Sequence, residues 1–209
     1  MLERGLMMKT QARAVVIGGG VVGVSMLYHL AKKGWTDAVL IERKELTSGS
    51  TWHAAGLLPL FNMSYSVGQV HKYSVKFYQE LEKETGMNVG FRNVSNIRLA
   101  SNPDRWDEYM QYAGVADTIG IEVERLTPDQ VKEIWPLCNT EGLLGAIRHP
   151  GDGYIQPADL TQAMAKGARD MGATIYRNTT VSGISQNASG EWEIAVSYTH
   201  LTLPTKASV

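Results

Sequence analysis

A strand, a glycine-rich turn, a helix and a second strand stand in unbroken succession near the N-terminus, and they restrict this chain to a nucleotide-binding α/β fold. The apolar run Ala14-Val15-Val16-Ile17 reads as a buried parallel strand and leads directly into Gly18-Gly19-Gly20-Val21-Val22-Gly23. This is a G-x-G-x-x-G pattern with a distinct role for each glycine. Gly18 permits the tight turn, Gly20 lets the backbone approach a pyrophosphate, and Gly23 lets helix and strand pack closely. The helix is expected over Val21 to Lys33, with Val24, Leu27, Tyr28 and Ala31 at helical spacing and Gly34 as its stop. Its unpaired N–H groups and positive dipole end suit phosphate. The second strand, Ala38-Val39-Leu40-Ile41, ends at Glu42, 24 positions after Gly18, where such units hydrogen-bond the adenosine ribose. Arg43 beside it has two readings: a partner for a 2′-phosphate, or a solvated charge at a strand end, the plainer of the two.

Composition narrows the remaining choices. The formal net charge is −1, and no basic cluster with interleaved aromatics stands out, so nucleic acid is not an expected partner. No apolar run reaches the roughly 20 residues that cross a bilayer, so no membrane is expected either. Cys138 is the only cysteine, which excludes an intrachain disulfide and a cysteine-based metal site. It reads as a small buried apolar residue, and no metal ligand or catalytic acid–base residue is singled out. With no signal peptide pattern in the first residues, the expected compartment is cytoplasmic.

Beyond Gly56 the pattern becomes mixed. A helix is expected over Val67 to Thr85 with Val70, Tyr73, Phe77, Tyr78 and Leu81 inward, then a strand at Asn96–Ala100 and a helix from Pro103 to about Ala116. A strand over Ile121–Leu126, a short helix entered at Thr127-Pro128 and a strand over Leu143–Arg148 follow. From Gln156 the nucleotide pattern resumes as a helix carrying Leu160, Ala163, Met164, Ala168 and Met171 inward, then strands over 172–176, 180–184 and 191–196. The expected fold class is therefore α/β: a discontinuous Rossmann-like dinucleotide-binding domain with an inserted α+β substrate domain, truncated. Its segments are 12–60 and 151–196 for the cofactor domain and 61–150 for the insertion. Residues 197–209 do not continue the strand pattern and read as a non-native tail.

Taken together, Gly18–Gly23, Glu42-Arg43, the stretch Leu46–Leu57 with its Ser50-Thr51-Trp52-His53-Ala54-Ala55-Gly56 loop, and His149-Pro150-Gly151-Asp152-Gly153 resemble the dimethylglycine dehydrogenase and sarcosine dehydrogenase family. These are D-amino-acid-oxidase-like flavoproteins, and the resemblance covers about residues 12 to 196. It implies FAD bonded through its 8α-methyl to His53, a linkage that a neutral imidazole can form near neutral pH. By the same resemblance Val21 and Val22 lie against the pyrophosphate and Glu42 and Arg43 meet the adenosine end. Gly49, Ser50, Thr51, Trp52, His53, Ala54, Ala55, Gly56 and Leu57 wrap the flavin, and Val181 contacts adenine through its backbone.

The implied reaction is oxidation of the N-methyl C–N bond of a small secondary or tertiary amine, with hydride passing to the flavin. Oxygen or an electron-transfer protein would serve as acceptor, and tetrahydrofolate is implied as a further cofactor in full-length relatives. Two other readings accompany this one. One is a noncovalent-FAD amino-acid oxidase of the same superfamily. The other is a truncated fragment without activity of its own, since missing walls would leave apolar surface exposed.

Overall fold

Along the chain the elements run β1 (Ala14–Ile17), α1 (Val21–Lys32), β2 (Ala38–Ile41), a 3₁₀ turn (Ser50–His53), β3 (Leu57–Leu58), α2 (Tyr65–Thr85), β4 (Arg92–Asn93), β5 (Asn96–Ala100) and α3 (Pro103–Ile119). They continue as β6 (Glu124–Leu126), α4 (Pro128–Ile134), β7 (Gly145–His149), β8 (Gly153–Tyr154), α5 (Pro157–Asp170), β9 (Thr174–Tyr176), β10 (Thr179–Gln186) and β11 (Trp192–Tyr198). The computed structural model describes residues 8–198. These residues form two units, one of 8–54, 84–87 and 157–198, the other of 55–83 and 88–156.

The first unit is built on a parallel sheet of order β1-β2-β9, with Ala14 to Ile17 in register with Ala38 to Ile41. All four β2 residues are buried, as a central parallel strand between two neighbours requires. β1 departs from the expected fully buried strand: Val15 and Ile17 are 37% and 48% exposed. Among the described residues it is an edge strand, so only alternate side chains find cover. Helix α1 buries Val24, Leu27, Tyr28 and Ala31 and packs on α5, which buries Leu160, Ala163, Met164 and Ala168. Met171, also expected inward, is only half-buried, because the helix ends at Asp170. Gly167 makes the close α1–α5 approach possible, since a Cβ there would stand 2.7 Å from Tyr28 Cε2. The Tyr28 hydroxyl donates to the Glu84 carboxylate, which also receives Lys32 Nζ at 2.8 and 3.0 Å. Burial first, and the Glu84 hydrogen bond second, push the Tyr28 hydroxyl up to about 12.

β10 and β11 pair antiparallel with a bulge at Val181/Gly183. β11 runs through Ser197 and Tyr198, the first two residues of the expected tail, two positions beyond the strand expected over 191–196. The rest of that predicted tail lies outside the described residues.

In the second unit β7 is the centre of an antiparallel sheet of order β5-β7-β6, with Asn96 opposite His149 and Ala100 opposite Gly145. One core gathers Tyr109, Tyr112, Ala116 and Ile119 of α3 with Ile147 of β7. A second core holds Leu126, Val131, Cys138 and Ala146, which gives Cys138 the small apolar role expected of it. The helix starts obey local chemistry. Asn102 accepts from Arg105 N–H with Pro103 next in sequence, and Thr127 and Gln130 form a reciprocal capping box. Gly120 ends α3 at φ 76°, three residues later than expected. The strand expected from Ile121 begins only at Glu124, and the one expected from Leu143 begins at Gly145, because only there do ladder partners exist.

In α2 the expected face is partly wrong. Phe77 and Leu81 are buried, but Val70 and Tyr73 are exposed and Val75 takes an inward position. Exposed apolar residues on the same helix blur the periodicity from which the face was read. No helix among the described residues is long and apolar enough to cross a membrane.

Candidate functional site

The candidate site is a cleft of about 400 Å³ in the first unit, between the glycine turn, the end of β2 and the 3₁₀ turn. Gly18 stands at φ +110°, a conformation that favours glycine, and hands the chain from β1 to α1. Gly23 is needed for another reason: a Cβ would collide with the Gly18 carbonyl oxygen. The turn is closed on its outer side by Gly18 N–H donating to Ile41 O at 2.9 Å.

Glu42 reaches back over this turn. Its Oε2 accepts from Gly19 N–H at 2.6 Å, and its Oε1 accepts from Lys44 N–H at 2.8 Å. The contact depends on Gly19, because a Cβ there would lie 2.6 Å from Leu46 Cδ2 and 2.9 Å from Glu42 Cβ. Sequence reasoning passed over Gly19, the position that the G-x-G-x-x-G template leaves free. Its signal was the third glycine in an uninterrupted run. The residues after Glu42 are held from the far side as well. Asn178 N–H donates to Lys44 O at 3.2 Å and Thr179 N–H to Glu42 O at 2.9 Å, while Arg177 and Asn178 side chains meet Glu45 at 2.7 and 3.0 Å.

The third wall is the Ser50–His53 turn. Thr51 is buried, and its Oγ1 accepts from Val21 N–H at 2.9 Å, at the start of α1. His53 ends the turn and is exposed, with Ala54 N–H returning to Thr51 O at 3.3 Å.

Ten of the expected cofactor residues line this one cleft: Gly18, Gly20, Val21, Val22, Glu42, Arg43, Gly49, Ser50, Thr51 and Ala54. Gly19, Lys44 and Ser48 line it too, without having been singled out. Gly23 acts from behind, through packing. Trp52 and His53 belong to the turn that forms the wall, both with exposed side chains. Ala55, Gly56 and Leu57 fall in the second unit, where Gly56 O accepts from Ile155 N–H at 2.9 Å and Leu57 pairs with Tyr154. Val181 sits at the β10 bulge and packs with Val39, Ile41 and Tyr176.

The second unit carries a buried polar cluster that was visible only as part of the His149–Gly153 motif. His149 Nε2 meets the Tyr112 hydroxyl at 3.0 Å, that hydroxyl donates to Leu60 O at 3.3 Å, and Leu60 N–H donates to Asp152 Oδ1 at 2.8 Å. Burial drives all three titratable groups away from charge. His149 is lowered to about 4, Asp152 is raised to about 6 and Tyr112 is raised to about 12. Arg98, over the Phe61 ring at 4.3 Å, lowers His149 further and restrains the rise of Asp152.

A parallel β1–α1–β2 unit with a glycine turn, a strand-end acid and an anchored third wall defines a dinucleotide-binding protein. Residues 13–205 match the model of the DAO family, described as FAD dependent oxidoreductase, and the chain belongs to that family. It is 42% identical over 186 residues to the mitochondrial dimethylglycine dehydrogenase of Rattus norvegicus, covering 89% of this chain and 22% of that protein. It is 40% identical over 174 residues to the mitochondrial sarcosine dehydrogenase of Homo sapiens, covering 83% and 19%. Among solved structures, L-proline dehydrogenase from P. horikoshii superposes with a TM-score of 0.80 at 27% identity, over 90% of this chain and 48% of that one. The chain thus spans about a fifth of the length of these two sequence relatives. The cytoplasmic expectation is corrected by the same comparison, because both dehydrogenases are mitochondrial. Charge balance and one unpaired cysteine do not distinguish one aqueous compartment from another.

Proposed function

We propose that this chain supplies the cofactor-binding part of an amine-oxidising flavoenzyme that acts on the N-methyl C–N bond of a small secondary or tertiary amine, with FAD bonded to His53. The observation that carries the reading is the joining of glycine turn, Glu42 and the His53-bearing turn around one cleft.

The residues present fit the cofactor. The glycine turn offers backbone close to the cleft without side chains in the way, and the start of α1 faces it with its positive dipole end. Glu42 presents a carboxylate for ribose hydroxyls, and Arg43 and Lys44 add positive charge at the same, adenosine end of the cleft. His53, exposed at the end of the turn that walls the cleft, would be the residue to bond to the cofactor. FAD bound there would supply the two-electron acceptor for amine oxidation. Oxygen or an electron-transfer protein would then take the electrons onward, and tetrahydrofolate would receive the one-carbon unit in a longer form of the protein. The similarity to dimethylglycine and sarcosine dehydrogenases supports an N-methylated substrate. A second reading is an amino-acid oxidase with noncovalent FAD, and the likeness to an L-proline dehydrogenase supports its amino-acid substrate.

Acid precipitation of the flavin-loaded protein tests this directly. Yellow chromophore should stay with the wild-type pellet and appear in the supernatant of His53→Ala. Flavin released from wild type would refute the bond to His53, and a protein that never acquires flavin would refute the cofactor reading.

A further inference from the structure

We propose that Thr51 is a positioning residue rather than a phosphate ligand: its hydroxyl locks the His53-bearing turn onto the start of α1 and presets the flavin-side wall of the cleft. The proposal rests on the FAD reading given above and assigns a role within it.

Three tethers join the loop after β2 to the glycine turn. Gly19 N–H donates to Glu42 Oε2 at 2.6 Å, Thr47 N–H donates to Gly19 O at 3.0 Å, and Val21 N–H donates to Thr51 Oγ1 at 2.9 Å. Of these, only the last comes from the Ser50–His53 turn itself. Val21 N–H is the first donor of α1, the group that an approaching anion would otherwise engage. Thr51 already satisfies it from within the fold.

Packing supports the same assignment. Thr51 is 6% exposed while Ser50, Trp52 and His53 beside it are exposed, so the turn is anchored through this one side chain. A Cβ at Gly20 would stand 3.1 Å from Thr51 Oγ1. Gly20 therefore leaves room for the threonine hydroxyl as well as for a pyrophosphate. Inside the turn, Trp52 N–H donates to Thr47 O and Gly49 O, both at 3.2 Å, and Ala54 N–H to Thr51 O at 3.3 Å. A displacement of Thr51 is thereby passed to His53, two residues on. The entropy of ordering this wall is met during folding, before the cofactor arrives.

The test separates wall from phosphate. In a His53→Ala background, where FAD binding is reversible, FAD and ADP affinities are measured for Thr51, Thr51→Val and Thr51→Ser. Valine keeps the shape and removes the acceptor. It should weaken FAD about tenfold, the usual scale for one lost buried hydrogen bond, and leave ADP within about twofold. Serine should bind both like threonine. Equal weakening of ADP and FAD by valine would make Thr51 a direct phosphate ligand and overturn the proposal, as would unchanged FAD binding. If Thr51→Val fails to fold, as judged by circular dichroism, the serine variant decides: weakened FAD there overturns the proposal. Protein with Thr51 that binds neither ADP nor FAD removes the FAD reading and the proposal together.

Discussion

Asp152→Asn should stabilise this protein near neutral pH and have much less effect in mild acid. Asp152 is 1% exposed, its Oδ1 accepts from Leu60 N–H, and its Oδ2 has no hydrogen-bond partner among the described residues. Burial carries the carboxyl from 3.8 to about 6. The folded state therefore holds a proton that the unfolded state releases between those values, and stability falls as pH rises through that window. At about 1.4 kcal/mol for each pH unit between the two values, the full penalty is about 3 kcal/mol above pH 6.5 and vanishes below pH 3.8.

His149 works in the opposite direction. It is lowered from 6.5 to about 4, so the folded state refuses a proton that the unfolded state accepts, and stability falls as pH drops from 6.5 to 4. That contribution is also about 3 kcal/mol. Between pH 4 and 6 the two slopes nearly cancel in the wild type. Asparagine keeps the acceptor for Leu60 N–H and removes one slope.

Urea unfolding followed by tryptophan fluorescence at pH 5.0 and pH 7.5 would measure this. The stability gained by Asp152→Asn should grow from about 1–2 kcal/mol at the lower pH to about 3 kcal/mol at the higher. A difference independent of pH, or a variant less stable than wild type at pH 7.5, would show that burial does not raise the Asp152 carboxyl.

Two further substitutions examine close approaches. Gly23→Ala places a methyl group against the Gly18 carbonyl oxygen, a backbone atom with no rotamer to yield, so flavin content after purification and melting temperature should both fall. Gly167→Ala pushes into Tyr28 Cε2 and should cost about 1–3 kcal/mol in urea unfolding with the flavin affinity unchanged; a loss of flavin affinity there would show that α1 and α5 packing reaches the cleft.

The nucleotide unit was legible before any coordinates because each step of it is local. An apolar run, a glycine turn, a helix at 3.6 spacing and an acid at the next strand's end all lie within about thirty residues. The helix starts at Pro103 and at Thr127-Pro128 were legible for the same reason. Tertiary structure decided what depends on residues distant in sequence. Gly19 matters because Leu46 and Glu42 fold back over it. The outward turn of Val70 and Tyr73, and the edge position of β1, follow from which neighbours are present to cover them. Tyr112 reaches His149 across 37 positions, and Leu60 reaches Asp152 across 92. Local pattern determines where a strand or helix begins, but desolvation and hydrogen-bond partners come from chain segments brought together by folding. That is why His53 could be marked from its loop alone, whereas the structural roles of Thr51, Asp152 and His149 became visible only in three dimensions.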